Sequence, residues 1–386
     1  MAIAATTGVT DLVETVHHNI VRVPAILGTP APGSTRGITG LVYRSIRGVT
    51  HWVGGGMDVV LARLAPLLGE PDASPGYEAV LAALNGVLGD YLAASGNSLA
   101  IPMRLRRDGQ PLNLDSQSLA TVSSPPTGKL VVLVHGLCMN DRQWRRQGHD
   151  HGAALARDLG YTPVFLCYNS GRHVSINGRA FADMLETLAQ QWPTPLEELT
   201  IIGHSMGGLV ARSACHYGRL AAHGWLRHLR KMVFLGTPHH GAPLERGGHW
   251  VDLLLGISPY TAPFARLGKI RSAGITDLRH GNLLDEDWAG RDRFERSGDR
   301  RCPVPLPAGV RCHALAATLA KENGGFGERL LGDGLVSVNS ALGRHPDPNR
   351  TLEFPPARQW IGHGMNHMDM LSRPEAYEQI RQWLAD

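Results

Sequence analysis

A serine lies in a local sequence that could make its hydroxyl a nucleophile. The motif Gly203-His204-Ser205-Met206-Gly207 follows the apolar run 199–202, and a helical pattern follows the motif. A strand, a sharp turn and a helix in this order are typical of a nucleophile elbow, whose glycines let strand and helix approach closely. Ser205 would lie at a helix N-terminus, where free amides favour developing negative charge. G-x-S-x-G alone is a short pattern in a chain with 46 glycines, so the flanking elements carry the prediction of acyl-transfer chemistry.

A serine hydroxyl needs a base within hydrogen-bond reach, and the base needs an acid that orients it. After a nucleophile elbow the chain order is serine, acid, histidine, so the base must come late in the sequence. Three histidines qualify, namely His345, His363 and His367. We prefer His367 because it lies between the last strand pattern and the last helix pattern, and His363 stays as the nearest alternative.

The acid is expected in a turn between Ser205 and the histidine. Asp333 lies in Gly332-Asp333-Gly334, after the apolar strand pattern 310–317, and its small neighbours permit a tight turn that presents the carboxylate. The alternatives lie in charged or proline-containing stretches and are Asp285, Asp287 and Asp347. Asp333 is therefore the predicted acid.

The tetrahedral oxyanion of acyl transfer needs positioned backbone amides. One predicted donor is Met206, directly after the serine, and the other comes from the loop after the first core strand. That strand, 129–134, ends in His135-Gly136-Leu137, so the Leu137 amide is the second predicted donor. His135 is interpreted as a residue that fixes the loop by hydrogen bonds. No substrate-binding side chain is predicted.

The motifs above, together with Gly236-Thr237-Pro238-His239-His240-Gly241, resemble those of bacterial α/β-hydrolase lipases and esterases. They are most similar to the branch that includes the GPI inositol-deacylase-like hydrolases. The resemblance covers roughly residue 129 to the C-terminus. It implies an α/β-hydrolase fold in which Ser205, Asp333 and His367 form the catalytic triad and Leu137 and Met206 form the oxyanion hole.

Three stretches of the sequence contain residue types that can bind a metal ion. Some related lipases hold a structural calcium with an aspartate just after the catalytic histidine, and Asp369 matches that position by resemblance. A second calcium carboxylate is not identified. The clusters His149-Asp150-His151 and His239-His240 lack metal-ligand spacing. No metal and no cofactor is therefore predicted.

The elements that must position these residues alternate between strand and helix patterns from residue 98 onward, which predicts a doubly wound, mostly parallel α/β sheet. Strands are expected at 129–134, 163–168, 199–202, 231–235, 310–317 and 358–361, after a hairpin around Asp108-Gly109. Helices are expected at 153–159, 176–192, after Ser205 and at 373–384.

The chain is divided into a helical N-terminal extension, 1–97, and a catalytic domain, 98–386, with an inserted cap at 242–307. The extension has apolar stripes at helical spacing and is interpreted as an accessory packed on the catalytic domain or on a second copy of the chain. Its stripes lack the lysine-rich polar face of interfacial helices. The cap is predicted to supply an apolar wall for an acyl chain, from Trp250, Leu253, Leu254 and Phe264.

The composition of the chain restricts the classes of partner and the environment that we expect for it. The 386-residue chain has a net charge of +4, and its basic residues are scattered, so no nucleic-acid footprint is expected. Neither a signal peptide nor an apolar window of roughly 18 residues is evident, so no membrane span is expected. Five cysteines favour reduced thiols and a cytoplasmic location, although Cys302 and Cys312 could pair in an exported protein.

The function predicted from the sequence is a serine hydrolase that cleaves carboxylic esters, with an ester or lipid-like substrate. An acyltransferase that uses the same triad is the first alternative, because sequence does not reveal how dry the site is. A non-catalytic binding protein on the same fold is the second, and the intact motif set argues against it.

Overall fold

The computed structural model describes residues 75–121, 127–242, 272–291, 298–321 and 332–386. The helical stripes expected before residue 75 lie outside the described residues. So do the four apolar residues predicted to line an acyl chain, Trp250, Leu253, Leu254 and Phe264. The domain boundary at 97/98 and the cap at 242–307 therefore stay predictions.

An eight-stranded sheet and a separate two-stranded hairpin, β4 with β5, contain all the strands of the described residues. In chain order the strands are β1 (Arg104–Arg107), β2 (Gln110–Pro111), β3 (Lys129–Val134), β4 (Arg145–Arg146), β5 (His149–Asp150), β6 (Thr162–Cys167), β7 (Glu198–His204), β8 (Leu229–Leu235), β9 (Arg311–Thr318) and β10 (Gln359–His363). The order across the large sheet is β2-β1-β6-β3-β7-β8-β9-β10. Across the sheet, all neighbouring strands from β6 through β3, β7, β8 and β9 to β10 pair in parallel. Strand β1 is antiparallel to both of its neighbours, β6 and β2. The doubly wound, mostly parallel sheet predicted from the sequence is confirmed.

The helices pack on both faces of this sheet. They are α1 (Pro75–Ala94), α2 (Ser116–Ala120), α3 (His151–Leu159), α4 (Val174–Gln191), α5 (Met206–Leu220), α6 (Ala273–Asp277), α7 (Val338–Ala341) and α8 (Pro374–Ala385). Alternate residues of β3 belong to two apolar layers, because successive strand side chains point to opposite faces. The first layer includes α1, α4 and α5, and the second includes α3 and α8. Residues 130–134 of the central strand β3 are all apolar and buried, as expected for a strand covered on both faces.

Helix α1 is a part of the main core. Its residues Val80, Leu84, Leu88 and Leu92 recur every four positions, are at most 4% exposed, and lie in the same apolar layer as α4 and α5. At its C-terminal half, the Asp90 carboxylate accepts a hydrogen bond from the Ala273 amide at 3.0 Å, which joins α1 to α6. The end of the predicted N-terminal extension is therefore packed on the sheet.

The structure bears on two expectations from the sequence, one about a membrane-spanning helix and one about a disulfide bond. No helix in the described ranges is long and apolar enough to cross a membrane. All five cysteines are free, with Cys312 buried on β9 and Cys302 exposed. The pairing of Cys302 with Cys312 that the sequence left open is not formed.

We expect Leu88→Ala to lower the free energy of unfolding by about 2–5 kcal/mol, because it leaves a cavity in the core of the first layer. Leu220→Ala is the control, since that side chain is 67% exposed, and its effect is expected to stay within about 0.5 kcal/mol. Urea unfolding followed by tryptophan fluorescence measures both. A Leu88→Ala protein as stable as the control would show that α1 is not part of the cooperative core.

Candidate active site

Ser205 lies at the junction between β7 and α5, where the backbone turns sharply. It has φ 53° and ψ −124°, a conformation that residues with a side chain rarely adopt and that costs about 1–3 kcal/mol. The turn is closed by backbone contacts. A Cβ atom on Gly203 would lie 2.6 Å from the Gly208 Cα atom, and one on Gly207 would lie 2.2 Å from the Val134 carbonyl oxygen. Glycine at 203 and 207 is therefore a steric requirement of the turn.

Asp333 and His367 form a buried pair at the carboxyl ends of the adjacent strands β9 and β10. The Nδ1–H group of His367 donates to Oδ2 of Asp333 at 2.7 Å, and both side chains are at most 2% exposed. The other carboxylate oxygen accepts from the amides of Leu335 and Val336 at 2.9 and 2.8 Å. The His367 amide also donates to the Asp333 carbonyl at 3.1 Å. These bonds fix the ring orientation and the tautomer in which Nδ1 carries the proton and Nε2 is the acceptor nitrogen.

Ser205 and His367 each carry a polar atom that has no partner among the described residues. Ser205 Oγ and His367 Nε2 are both buried and make no hydrogen bond there. Buried polar groups in native proteins are nearly always paired, so an orphaned donor and an orphaned acceptor call for an explanation. A hydroxyl and an unprotonated imidazole nitrogen are the two groups that proton transfer from a nucleophile requires.

Neighbouring contacts join the segments that carry Ser205 and His367. The rings of His204 and His367 are 4.7 Å apart, and His204 Nε2 lies 3.1 Å from the His367 carbonyl oxygen. After β8, Gly236 lies close to the same ring, since a Cβ atom there would be 3.0 Å from His367 Cε1. The serine and histidine segments therefore meet at the carboxyl edge of the parallel strands, which is where open α/β sheets bind ligands.

The loop after β3 packs directly on Ser205. A Cβ atom on Gly136 would lie 3.0 Å from the Ser205 Cβ atom. The two predicted oxyanion donors thus belong to segments that converge on the serine, because Leu137 follows Gly136 and Met206 follows Ser205. Cys138, the next residue of the loop, has φ 59° and adopts a left-handed conformation.

His135 holds this loop to β6, as the sequence interpretation expected. Its Nδ1–H group donates to the Gly136 carbonyl at 2.8 Å, and its ring stacks on Tyr168 with centroids 4.3 Å apart. The Tyr168 hydroxyl donates to the His135 carbonyl oxygen at 2.8 Å. Burial lowers the pKa of His135 to about 4, so the ring is neutral.

The alternative acids and bases have other contacts. Asp285 pairs with Arg179, and Asp287 accepts hydrogen bonds from the amides of Leu283, Leu284 and Cys302. Asp347 caps a short 3₁₀ helix, His345 lies 3.7 Å from Asp299, and His363 is the last residue of β10. From the whole set of candidates, the structure brings Asp333 and His367 together by a hydrogen bond.

No cluster of three or more histidine, cysteine or carboxylate side chains that could hold a metal occurs in the part of the chain that the structure describes. Asp369 accepts from the Asn366 amide at 3.0 Å and so helps to shape the His367 loop. In the two histidine clusters, His149 Nε2 lies 2.8 Å from His151 Nδ1, and His240 Nε2 donates to the Gly343 carbonyl at 2.9 Å. These histidines hold loops together.

One part of the site was missed by the sequence analysis. Helix α1 lies against Cys138, because a Cβ atom on Gly86 would be 2.2 Å from the Cys138 Sγ atom. The available signal is the pair Gly86 and Gly89, two glycines three positions apart in the interior of a mostly apolar helix. Helix-breaking residues at such spacing indicate a close backbone approach.

Comparisons with known proteins find a family model and several solved structures to which this chain is similar. Residues 125–299 match the family model described as a PGAP1-like alpha/beta domain. No curated protein sequence matches the chain. Among solved structures, the chain is similar to the mature form of Bacillus licheniformis lipase BlEst2, with 19% identity, a TM-score of 0.41, and coverage of 67% of this chain and 91% of that one.

Two further structures are similar to this chain. For Aspergillus fumigatus lipase B the identity is 13%, the TM-score 0.40, and the coverage 69% of this chain and 57% of the fungal chain. For EstA from Clostridium botulinum the identity is 13%, the TM-score 0.39, and the coverage 67% of this chain and 87% of that one. This chain therefore spans just over half the length of the Aspergillus protein.

Buried histidines predict that the fold is sensitive to acid. Burial lowers the pKa from 6.5 to about 4 at four of them, His135, His151, His240 and His313. As pH falls from 6.5 towards 4, the unfolded chain binds protons that the folded chain does not. We therefore expect the free energy of unfolding to fall between pH 7 and pH 5, by on the order of 1–2 kcal/mol for each such histidine.

His313→Phe tests this contribution, because neither ring nitrogen of His313 has a partner among the described residues. Urea unfolding at pH 7 and pH 5 gives the loss of stability for each protein. The variant is expected to lose about 1–2 kcal/mol less than the wild type over this interval. Equal losses in the two proteins would contradict the assignment of His313 as a buried neutral group.

Proposed function

We propose that this chain, a member of the α/β-hydrolase superfamily by its strand order and its matched segment 125–299, is a serine hydrolase that cleaves carboxylic esters through an acyl-enzyme. One observation carries the proposal. The buried His367–Asp333 hydrogen bond leaves His367 Nε2 unpartnered at an edge where the Ser205 hydroxyl is also buried and unpartnered. We assign Ser205 as nucleophile, His367 as base and Asp333 as the acid that orients the base.

In the acylation half-reaction, Ser205 Oγ attacks the ester carbonyl carbon while its proton passes to His367 Nε2. The carbonyl oxygen becomes an oxyanion, which we assign to the amides of Leu137 and Met206. When the tetrahedral intermediate collapses, the C–O bond to the alcohol breaks, and His367 returns the proton to the leaving alkoxide. The alcohol departs, and the acyl group stays on Ser205.

In the second half-reaction, water takes the place of the alcohol. His367 Nε2 accepts a proton from the water as the water oxygen attacks the acyl carbon, and a second oxyanion forms. Collapse breaks the bond to Ser205 Oγ, which regains its proton from His367, and the carboxylic acid leaves. Asp333 stays ionised throughout and stabilises the imidazolium that forms in each half-reaction.

The arrangement of the donors supports this mechanism. Met206 begins α5, so its amide is among the helix's first unpaired N–H groups and lies at the positive end of the helix dipole. Such preorganised amides stabilise charge that develops in the transition state, and removal of one donor typically costs 10²–10³-fold in kcat. Neither donor can be removed by changing a side chain, since both are backbone groups.

The principal test is hydrolysis of p-nitrophenyl esters with acyl chains of increasing length. We expect the purified wild-type chain to release p-nitrophenol and to be labelled by a fluorophosphonate probe. Ser205→Ala is expected to abolish labelling and to lower kcat by on the order of 10⁶-fold, as for other serine triads. A wild-type protein that is inert across the series and is not labelled would refute the proposal. Release of the acyl group mainly to an added alcohol would identify an acyltransferase instead.

A second test concerns the acid. Asp333→Asn keeps the side-chain volume but replaces a carboxylate that accepts from His367 and from two amides, so the ring loses its fixed tautomer. We expect kcat to fall by about 10⁴-fold. Asp285→Asn is the matched control, because Asp285 pairs with Arg179, and its kcat is expected to stay near wild type. The assignment would be wrong if the control lost the activity and Asp333→Asn kept it.

A further inference from the structure

We propose that α1 is a positioning element of the active site. It holds the loop after β3, residues 135–138 (the oxyanion loop), in its working conformation through Gly86 and, by way of the neighbouring β6–α4 loop, through Ser170. The inference rests on the proposed function above, in which the Leu137 amide stabilises the oxyanion. It assigns a catalytic contribution to a helix that precedes residue 125, where the matched family segment begins.

The first observation is the contact between the backbone of α1 and Cys138. A Cβ atom on Gly86 would lie 2.2, 2.9 and 3.0 Å from the Sγ, Cα and N atoms of Cys138. The Cys138 side chain is 3% exposed, and its thiol lies 3.9 Å from the Ala83 carbonyl oxygen, one turn earlier on the same helix. The helix backbone therefore forms the surface on which this residue of the loop rests.

The second observation concerns the conformation that this surface supports. Cys138 has φ 59°, which is unfavourable for a residue with a Cβ atom and persists only where the surroundings impose it. The Cys138 amide donates to Ser170 Oγ at 3.0 Å. This hydrogen bond fixes the peptide plane that joins Leu137 to Cys138, while Gly136 is held against Ser205 on the other side. Leu137 is thereby constrained from both ends.

The third observation is that α1 also holds the loop that carries Ser170. Asn169 Nδ2 donates to the Gly89 carbonyl at 2.8 Å, and a Cβ atom on Gly171 would lie 2.1 Å from the Asn85 carbonyl oxygen. Asn85 itself is fixed, because its amide group bonds to the Leu99 carbonyl and to the Ile101 amide. Cys138 and the two neighbours of Ser170 thus contact the same helix, and the hydrogen bond between Cys138 and Ser170 depends on that shared support.

The most direct variant is Gly86→Ala, which places a methyl group where the Cys138 side chain now lies. If α1 positions the oxyanion loop, we expect kcat for ester hydrolysis to fall at least 10-fold with little change in KM, because the oxyanion exists only in the transition state. Affinity for a trifluoromethyl ketone, whose adduct carries an oxyanion, is expected to fall in parallel. Adding Cys138→Ala removes the Sγ atom from the clash and is expected to restore part of kcat.

Gly218→Ala is the matched control. Gly218 is also a buried helical glycine, near the C-terminal end of α5, and a Cβ atom there would meet Trp225 at 3.1 Å. It perturbs the packing without touching the oxyanion loop, so its kcat per folded molecule is expected to stay within about twofold of wild type. If Gly86 had only a structural role, Gly86→Ala and Gly218→Ala would have the same kcat per folded molecule.

Amide hydrogen exchange supplies a readout that does not depend on activity. The Cys138 amide is buried and bonded to Ser170, so it is expected to exchange slowly in the wild type and faster in Gly86→Ala and in Ser170→Ala. Unchanged exchange at residues 136–138, or an unchanged kcat in Gly86→Ala, would overturn the inference. Inert wild-type protein would refute the proposed function instead, and the exchange rates would still report whether α1 holds the loop.

Discussion

The carboxyl end of β7 and the start of α5 are in backbone contact, and the candidate site depends on this approach. A Cβ atom on Gly203 would lie 2.6 Å from the Gly208 backbone and 2.8 Å from that of Gly207, and one on Gly208 would lie 2.0 Å from the Thr237 hydroxyl oxygen. The contact forces Ser205 to a positive φ and brings the loops after β3 and β8 against the same turn. An added methyl group at any of the three glycines would therefore move the serine, the predicted oxyanion loop, or both.

A second set of contacts holds the loop after β8 that packs on His367. Two buried arginines fix its far end. Arg301 Nη1 donates to the carbonyls of His239 and Gly281, each at 3.0 Å, and Arg212 Nη1 donates to His239 Nδ1 at 3.2 Å. Burial, together with repulsion from the nearby Arg301 cation, lowers the pKa of Arg212 to about 9. The loop is thus tied by directional bonds at 239 while Gly236 remains in contact with the imidazole.

Features that depend on local sequence were predictable. The glycines around Ser205 identify the turn, the alternation of strand and helix patterns identifies the sheet, and the short turn Gly332-Asp333-Gly334 identifies the acid that bonds to His367. From β3 onward, the limits of the predicted strands and helices differ from the observed ones by at most two residues, since helix and strand ends are set by capping and tertiary contacts.

Features that depend on contacts between distant segments were not predictable. The left-handed conformation of Cys138 is imposed by a helix about 50 residues earlier in the chain, and nothing in the sequence near Cys138 requires it. The neutral state of the buried histidines likewise follows from burial, which a residue type does not reveal. Sequence therefore predicted the pairing of Asp333 with His367 better than it predicted the contacts that hold the surrounding loops.

The sheet divides the core into two apolar layers, and the proposed catalytic groups come from both. Helix α5, which begins after Ser205, and the residues after Asp333 belong to the first layer, whereas the methionines on either side of His367 belong to the second. The hydrogen bond between Asp333 and His367 therefore connects segments that pack in different apolar layers, the two halves of the core. Loosening of either half separates the acid from the base. On heating, the proposed ester hydrolysis would cease when the weaker half loosens, before the stronger half has lost its order.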